Sequence, residues 1–478
     1  MVTGSARSWK VVPARVERDT VDINRKFRCE SRKRTTLVDV KHDAVSRRRF
    51  LKGTAAAALA VGVGPAIVIP GRAQQKTLKI LKWKHFVPEY DRWFSDTYIK
   101  QWGEKNDTNV IVDSIGLGDL SSRATAEGQA RQGHDLVLLL TPAPAYEDSV
   151  IDHREIFEES VRRYGNTLDP AYKSCYNPRT GKYFSFCTSL LPALLTYRKD
   201  LWNAVDVAPD TWDDVRRGGR RIKLLHDKPV GISLAPEHNS EHSLRAVMYS
   251  FGSSVQDEAG NPSLKSKQTL EAIKYVKALF DEAMPEDVLN WNAVSNNRFM
   301  LSAEGCLTLD TISIVRAAES KEMPVGSNLR LAKLPAGPTG RLGPAFGIDS
   351  YMIWKFADNI AGAKQFLVDF VGSSRKAFVA SGFQHMPSFP DVVPDLTQLV
   401  TGDPSAAAPD QYGLLTDVSQ WVTNVGYPGF ANAAIGEVLD TRLVATMFAQ
   451  AATGTLTPDE ALTQADQEVR RIFQRWQT

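Results

Sequence analysis

The sequence predicts an α/β protein built from two domains. Short apolar segments that suit buried strands alternate along most of the chain with amphipathic segments at helical spacing. An arginine-rich motif followed by an apolar run precedes this alternation, and removal of that leader would leave about 405 of the 478 residues. A chain of that length is too long for one hydrophobic core and suits two domains of ordinary size.

The predicted leader, residues 1–73, contains a twin-arginine export motif. The motif lies at 46–52, where the sequence reads SRRRFLK, and its recognition positions are Arg47, Arg48, Phe50 and Leu51. We therefore expect export through the twin-arginine (Tat) translocase and a mature protein in the periplasm.

The apolar run behind the motif is too short to be a membrane span. Residues 54–69 give 16 positions, fewer than the roughly 20 that cross a bilayer, and a small-residue site at 71–73 suits cleavage. Removing residues 1–73 takes away 16 basic and 6 acidic residues, which changes the net charge from +3 to about −7. The basic balance of the whole chain is therefore no sign of nucleic-acid binding.

Strands and helices follow the leader in the order expected of an α/β protein. The predicted strands are 78–83, 109–114, 135–140, 190–197 and 306–309, and the predicted helices are 91–105, one from Asp200, one after Thr211, one after Ser266 and 361–372. Thr211 and Ser266 are predicted caps, because a hydroxyl can accept a hydrogen bond from an unpaired amide of the first turn.

Motifs of the common catalytic and metal sites are missing from the sequence. It has no pair of cysteines two residues apart, no Gly-Lys phosphate loop and no Gly-x-Ser-x-Gly turn. His238 and His242 could share a helix face as metal ligands, but Pro236 and the turn-like surroundings favour the start of a surface helix. We expect a binding protein without metal or cofactor, with an exported enzyme as the less favoured alternative.

Three of the four cysteines follow the leader. Cys175 and Cys187 flank a turn at 177–181, and they would either form a disulfide in an oxidising compartment or stay reduced. Their spacing alone does not decide between these states. Cys306 is expected to be a small buried apolar residue.

Residues 181–215 join an apolar run to two helix starts, and the order resembles that of family 1 extracellular solute-binding proteins, the substrate receptors of ABC importers. The family pattern has an apolar run, Y-N-K-D-L-F and P-P-x-T-W-x-E-L, and this chain has YRKDLW at 197–202 and PDTWDDV at 209–215. Further resemblances follow in order at 251–261, 302–308, 334–338 and 381–387. Leu191 stands where the maltose-type branch has a ligand-binding carboxylate, which disfavours maltose.

The resemblance implies an α/β, periplasmic binding protein-like fold, with two lobes of discontinuous segments joined by a hinge and the ligand in the cleft. The N-terminal lobe is expected to comprise 76–186 plus 343–384, and the C-terminal lobe 187–342 plus 385–478. The resemblance further implies a monomer that closes around a sugar or polyol and delivers it to the permease subunits of an ABC transporter. A polyamine or a glycerol phosphate is the alternative ligand.

Candidate ligand-binding residues lie in the loops that follow strands. In open α/β sheets the ligand sits beyond the carboxyl ends of the strands, which nominates His85, Phe86, Asp119, Thr141 and Tyr146. Further candidates lie in segments that resemble the second lobe, or where the chain is expected to return to the first lobe. They are Thr188, Ser189, Trp291, Asn292, Asp310, Thr311, Asp349, Tyr351, Trp421 and Tyr427. Aromatic faces suit the C–H faces of a sugar ring, and the polar side chains suit its hydroxyls. The alternative is a core role for the aromatic residues and a capping or solvated role for the aspartates.

Overall fold

Two larger β-sheets organise the part of the chain that the structure describes, which is residues 76–476 of a computed structural model. The strands are β1 (Lys76–Trp83), β2 (Thr108–Ile115), β3 (Leu136–Leu139), β4 (Tyr176–Asn177), β5 (Lys182–Tyr183), β6 (Phe186–Pro192), β7 (Leu194–Arg198), β8 (Val230–Gly231), β9 (Leu307–Asp310), β10 (Leu329–Ala332), β11 (Gly343–Ile353), β12 (Met386–Pro387) and β13 (Val422–Thr423). The predicted leader, with its export motif, lies outside the described residues.

Helices fill the segments between these strands. They are α1 (Pro88–Arg92), α2 (Ile99–Lys105), α3 (Leu117–Ala130), α4 (Arg154–Tyr164), α5 (Asp169–Cys175), α6 (Lys199–Ala204), α7 (Trp212–His226), α8 (His238–Ser250), α9 (Lys267–Ala283), α10 (Ser295–Leu301), α11 (Ser313–Ser320), α12 (Ile360–Val371), α13 (Ser374–Ala380), α14 (Leu396–Thr401), α15 (Ala433–Asp440), α16 (Leu443–Ala452) and α17 (Pro458–Arg475). Within residues 76–476, no helix combines the length and the apolar character that a membrane crossing requires.

The first sheet is mixed and the second is mostly antiparallel. The first has the strand order β12-β6-β11-β3-β1-β2, with β13 pairing separately with β11. In it β1 runs parallel to β2 and β3, whereas β11 runs antiparallel to β3 and β6. The second has the order β10-β7-β9-β8, with β8 parallel to β9. The parallel pairs are joined by crossovers that contain helices, as an α/β architecture requires.

One buried segment passes from the first sheet to the second. β6 lies in the first sheet and β7 in the second, and only Ala193 separates them. The sequence predicts a single strand over 190–197, and the structure divides that strand at the point where it changes sheets. The lobe boundaries proposed from the sequence stay predictions.

The predicted helix caps at Thr211 and Ser266 are confirmed. The Thr211 hydroxyl accepts from the N–H of Asp214 at 3.1 Å, and the Asp214 carboxylate accepts in return from the N–H of Thr211 at 3.2 Å. Ser266 Oγ accepts from the N–H of Thr269 at 3.1 Å. These bonds satisfy amides of the first turn that have no partner inside the helix.

Helix α8 is buried, and the prediction of a surface helix at His238 was wrong. Nearly all of its residues from Asn239 onward are shielded, because the helix packs between β11, α9 and α16. Some of its polar groups pair within the interior: Arg245 Nε donates to Glu241 at 3.2 Å, and Glu241 also accepts from the N–H of Ala445 at 3.0 Å. The polar composition of this helix had suggested contact with solvent.

Cys175 and Cys187 are both free and buried. Of the two predicted alternatives, the structure therefore has the reduced state, and the disulfide alternative was wrong. The hairpin β4–β5 sets a register in which the N–H of Phe184 donates to the carbonyl of Cys175 at 3.0 Å. Cys187 lies three residues further on, where its thiol donates to the carbonyl of Ser189 at 3.4 Å. Cys306 is a buried free thiol, as expected.

Candidate ligand-binding cleft

A cleft of about 750 Å³ is lined by segments that follow β2, β3 and β13 of the first sheet and by the segment that follows β8 of the second. One wall is formed by α3 and by the loop from β3 to Tyr146. The opposite wall is formed by the start of α8, Ala293 and the segment from Gly436 to Arg442. The cleft therefore has the position that the strand-end rule predicts for a ligand.

An inner pocket opens from the floor of this cleft and shares Leu117, Leu140, His238 and Ala293 with it. Its remaining lining consists of Trp83, Phe86, Leu191, Asn239, Asn297, Asp310, Thr311, Phe346 and Gln384. The pocket has a volume of about 20 Å³, which is room for about one water molecule. In this conformation the residues of the two walls are in close approach.

Asp310 is the acidic group of the inner pocket and stands at the end of β9. Burial raises its pKa to about 6, although the N–H of Thr311 at 2.6 Å and the side-chain amides of Asn296 and Asn297, each at 2.7 Å, stabilise the charged form. The carboxylate is thus held in place by donors to both of its oxygens. Its remaining lone pairs can accept hydrogen bonds from a ligand.

Two amide oxygens near Asp310 have no hydrogen-bond partner within the described chain. They are Asn239 Oδ1 in the first turn of α8 and Gln384 Oε1 beside β12, and both are buried. His238 adds a third acceptor: its Nε2 donates to the carbonyl of Phe346 at 3.0 Å, and burial lowers its pKa to about 4, which leaves Nδ1 unprotonated. The inner pocket is therefore rich in acceptors, and a ligand with several donors would satisfy them.

Aromatic side chains flank these acceptors. Trp83 and Phe86 have ring centroids 5.6 Å apart, and Phe346 contacts His238 at 5.5 Å. Phe86 is 45% exposed, so part of its ring is free to contact a ligand. Polar acceptors between aromatic faces are suited to a molecule that has hydroxyls at its edge and C–H groups on its faces.

A second polar cluster, the histidine network, lies beneath the pocket and consists of Trp83, His85, Ser189, Asp349 and His385. Asp349 accepts from Ser189 Oγ at 2.7 Å and from Trp83 Nε1 at 3.4 Å, and it lies 3.1 Å from Nδ1 of His385. The Nε2 atoms of His85 and His385 are 2.8 Å apart, so one carries the hydrogen and the other accepts it. Burial lowers the pKa of His385 to about 3 and raises that of Asp349 to about 6.

Of the residues predicted for the site, five line the two cavities. Thr141 and Tyr146 line the outer cleft, and Phe86, Asp310 and Thr311 line the inner pocket. Tyr146 also exchanges a hydrogen bond of 2.6 Å with Thr125 on α3.

Four further predicted residues lie in or beside the histidine network. His85, Ser189 and Asp349 belong to it, and Thr188 Oγ1 lies 3.5 Å from the carbonyl of Asp349. Tyr351 follows in the core of the first sheet, where its ring centroid is 6.2 Å from that of Phe370.

The structure does not bring the remaining predicted residues to the cavity walls. Trp291 is 5% exposed and packs on Phe299 at 5.0 Å, and Trp421 is buried with its indole N–H donating to Asp417 at 3.3 Å. Tyr427 packs on Tyr249 at 5.0 Å, Asn292 accepts from the N–H of Val294 ahead of α10, and Asp119 is exposed in the first turn of α3.

The residues of the site that were missed from the sequence include His238, Asn239, Phe346 and Gln384. His238 and Asn239 follow β8, so the strand-end rule would have found them if that two-residue strand had been recognised. Phe346 and Gln384 lie inside or beside buried strands, where no sequence signal separates them from core residues.

Residues 93–377 match the family model for bacterial extracellular solute-binding proteins. The chain belongs to this family. Binding proteins of Brucella abortus and Brucella suis are 22% identical over 182 residues, which are 37% of this chain and 44% of theirs. The chain thus matches less than half the length of these curated relatives.

Solved solute-binding proteins share the fold along most of this chain. Maltose-bound MalE3 of T. maritima has a TM-score of 0.68 and 18% identity, covering 83% of this chain and 99% of its own. The laminaribiose-bound sugar transporter protein of Arthrobacter chlorophenolicus has a TM-score of 0.68, 15% identity and the same coverage. The ribitol-bound protein of Agrobacterium radiobacter has a TM-score of 0.67 and 15% identity, covering 83% and 98%. The predicted periplasmic binding protein fold is confirmed.

Proposed function

We propose that the protein is the substrate-binding component of an ABC importer and that it binds a sugar or polyol in the cleft. The solved relatives with this fold include proteins bound to maltose, laminaribiose and ribitol. The inner pocket supplies the chemistry that such ligands need. The proposal extends to export by the Tat translocase, a periplasmic location and delivery to a membrane permease.

The observation that carries the proposal is the set of unpaired acceptors between aromatic rings. Asn239 Oδ1 and Gln384 Oε1 are the unpaired acceptors, Asp310 adds lone pairs beside the three hydrogen bonds that it already accepts, and Trp83 and Phe86 offer apolar faces. Among the described residues that line the inner pocket, none is Lys or Arg. A neutral polyhydroxyl ligand fits this lining better than an anion such as glycerol phosphate.

Binding would act by shifting the equilibrium between conformations. The inner pocket holds about one water in this conformation, so the walls must separate before a sugar ring can enter. A ligand that touches both walls then favours the closed form, because only that form makes all of its contacts. The permease would distinguish the closed form from the open one.

A polyamine is the second candidate, because ammonium groups are also donors and Asp310 could pair with one of them. Ligand charge separates the two candidates. A polyamine would bind more weakly as salt concentration rises, whereas the binding of a neutral sugar would change little.

The test is a thermal melt of the exported protein against monosaccharides, disaccharides, polyols, polyamines and glycerol phosphates. A ligand at a hundred times its dissociation constant adds about 2.7 kcal/mol of stability, which for a protein of this size shifts the melting temperature by about 3 °C. A hit from one sugar class supports the proposal. If no compound raises the melting temperature, or if glycerol phosphate alone does so, the proposal is contradicted.

Delivery to a permease is tested in cells of the source bacterium. Deleting the gene should abolish uptake of the radiolabelled ligand that the melt identifies, and restoring the gene should recover it. Unchanged uptake in the deletion strain would contradict the transport role while leaving the binding result intact.

A further inference from the structure

The solvent-facing side of α7 carries two leucines among arginines and lysine. Leu224 and Leu225 are 74% and 66% exposed, which places them among the most exposed large apolar side chains of residues 76–476. Arg220 and Arg221 lie one helical turn before them, on the same face. We call Arg220, Arg221, Leu224, Leu225 and Lys228 the α7 patch.

The basic side chains of the α7 patch carry positive charges that are not engaged in ion pairs. Arg220, Arg221 and Lys228 make no ion pair with any residue of 76–476, in contrast to Arg217, which pairs with Asp213 at 2.8 Å and Asp214 at 2.6 Å. Two acidic residues lie near the patch: Asp227, which follows the helix and is exposed, and Glu282, which interacts electrostatically with Arg220 but is paired with Arg216 at 2.5 Å. The patch therefore keeps a net positive charge.

The opposite face of α7 is fixed against the protein. A Cβ on Gly218 would come within 2.4 Å of Trp202, and one on Gly219 within 2.5 Å of Val230, so only glycine allows this close packing. The exposed leucines consequently cannot turn inward by rotation of the helix. Their exposure is a property of the fold.

We propose that the α7 patch docks the protein on the surface of an anionic phospholipid membrane. Arginine and lysine near such a surface are attracted to the headgroups, and adjacent leucines can enter the boundary between headgroups and acyl chains. The cleft and inner pocket take none of their lining from α7, so docking leaves the ligand site free. A receptor held at the membrane would search for its permease in two dimensions.

The chemistry of the patch favours a lipid surface over a protein partner. A second copy meeting this face symmetrically would bring two positively charged patches together, and like charges oppose that contact. The leucines stand on a convex helix, and the cavities described above lie elsewhere. A flat anionic layer matches this shape and charge.

The experiment is sedimentation of the exported protein with vesicles of phosphatidylcholine alone or with 30% phosphatidylglycerol. We expect binding to the anionic vesicles, weakening as salt is raised. Each basic residue near such a surface raises the membrane partition coefficient about fivefold. The double variant Arg220→Glu with Arg221→Glu should therefore lower that coefficient at least thirtyfold. Leu224→Ser with Leu225→Ser should lower it severalfold.

A matched control reverses two exposed charges elsewhere, with Lys100→Glu and Lys105→Glu on α2. It changes the net charge equally and should leave vesicle binding within threefold of the wild type. Equal loss in the control would overturn the proposal, and so would equal binding to both vesicle types or to none. Concentration-dependent dimers that the leucine variant abolishes would overturn it in favour of a second copy.

Discussion

The inner pocket and the histidine network are both buried polar clusters, and they differ in how their groups are paired. Each contains an aspartate, Asp310 or Asp349, whose pKa burial raises to about 6. In the network the acceptor oxygens of Asp349 meet donors from the protein. In the pocket Asn239 Oδ1 and Gln384 Oε1 meet none within residues 76–476. A buried group without a partner costs about 1–3 kcal/mol, so the network stabilises the fold and the pocket is prepared for a ligand.

The largest expected effect is on the network. Asp349→Ala removes the acceptor for Ser189, Trp83 and His385, and we expect the free energy of unfolding to fall by about 3 kcal/mol. Urea unfolding monitored by tryptophan fluorescence measures the change. Asp349→Asn is the matched control: it keeps the shape and one acceptor oxygen, and it should lose less than half as much. A loss below 1 kcal/mol for the alanine variant would remove the contrast between the two clusters.

Trp291 sharpens the comparison, because it was predicted for the site and lies in neither cluster. Since the ring is buried against Phe299, Trp291→Ala should cost about 3 kcal/mol of stability through the cavity that it leaves. Ligand affinity of the variant, measured by calorimetry below its melting temperature, should stay within threefold. A tenfold loss of affinity with unchanged stability would restore its predicted role at the ligand.

Asn239 should behave in the opposite way from Asp349. Because its buried Oδ1 has no partner in the empty protein, Asn239→Ala removes a penalty of about 1–3 kcal/mol that offsets the packing lost with the side chain, so the free energy of unfolding should not fall. The same change should weaken ligand binding about tenfold, the value of one good hydrogen bond. Gln384→Ala should follow the same pattern. Destabilisation without loss of affinity would assign both amides to the fold.

Much of the fold could be predicted from the sequence, because strands and helices leave local signals. The apolar run ahead of α6, the cap at Thr211 and the helical spacing after Ser266 each depend on neighbouring residues and were found. The division between β6 and β7 was missed, since a strand that changes sheets stays apolar throughout. The burial of α8 was missed because the elements that shield its polar residues, including the Ala445 N–H that donates to Glu241, lie far away in the sequence.

The candidate site could be predicted only in part. Phe86, Thr141 and Asp310 follow strands, so a rule about strand ends located them. Trp291 and Trp421 stand among polar residues in the sequence, yet tertiary packing buries both. Gln384 and Phe346 belong to segments whose local pattern is that of a core, and only the three-dimensional structure shows their polar atoms and rings facing a cavity.

The smallest expected effect concerns the charge of Asp310. Its pKa in the folded protein is raised to about 6, above its ordinary value near 4, so ionisation is disfavoured in the empty pocket. Protonation of this group therefore stabilises the empty protein, and that contribution is lost as pH rises through 6. A ligand that donates to the carboxylate needs the ionised form, so its affinity should change with pH in the opposite direction.

Affinity measured at pH 7.5 should exceed that at pH 5.5 by about fourfold, the ratio of ionised Asp310 at the two values. His238 does not titrate in this window, because burial lowers its pKa to about 4, whereas Asp349, whose pKa burial also raises to about 6, does titrate there but is not part of the pocket lining. Asp310→Asn keeps the shape of the side chain and should abolish the pH dependence. If that variant retained the fourfold change, another group would be responsible, and Asp310 would resemble Asp349 in serving the fold alone.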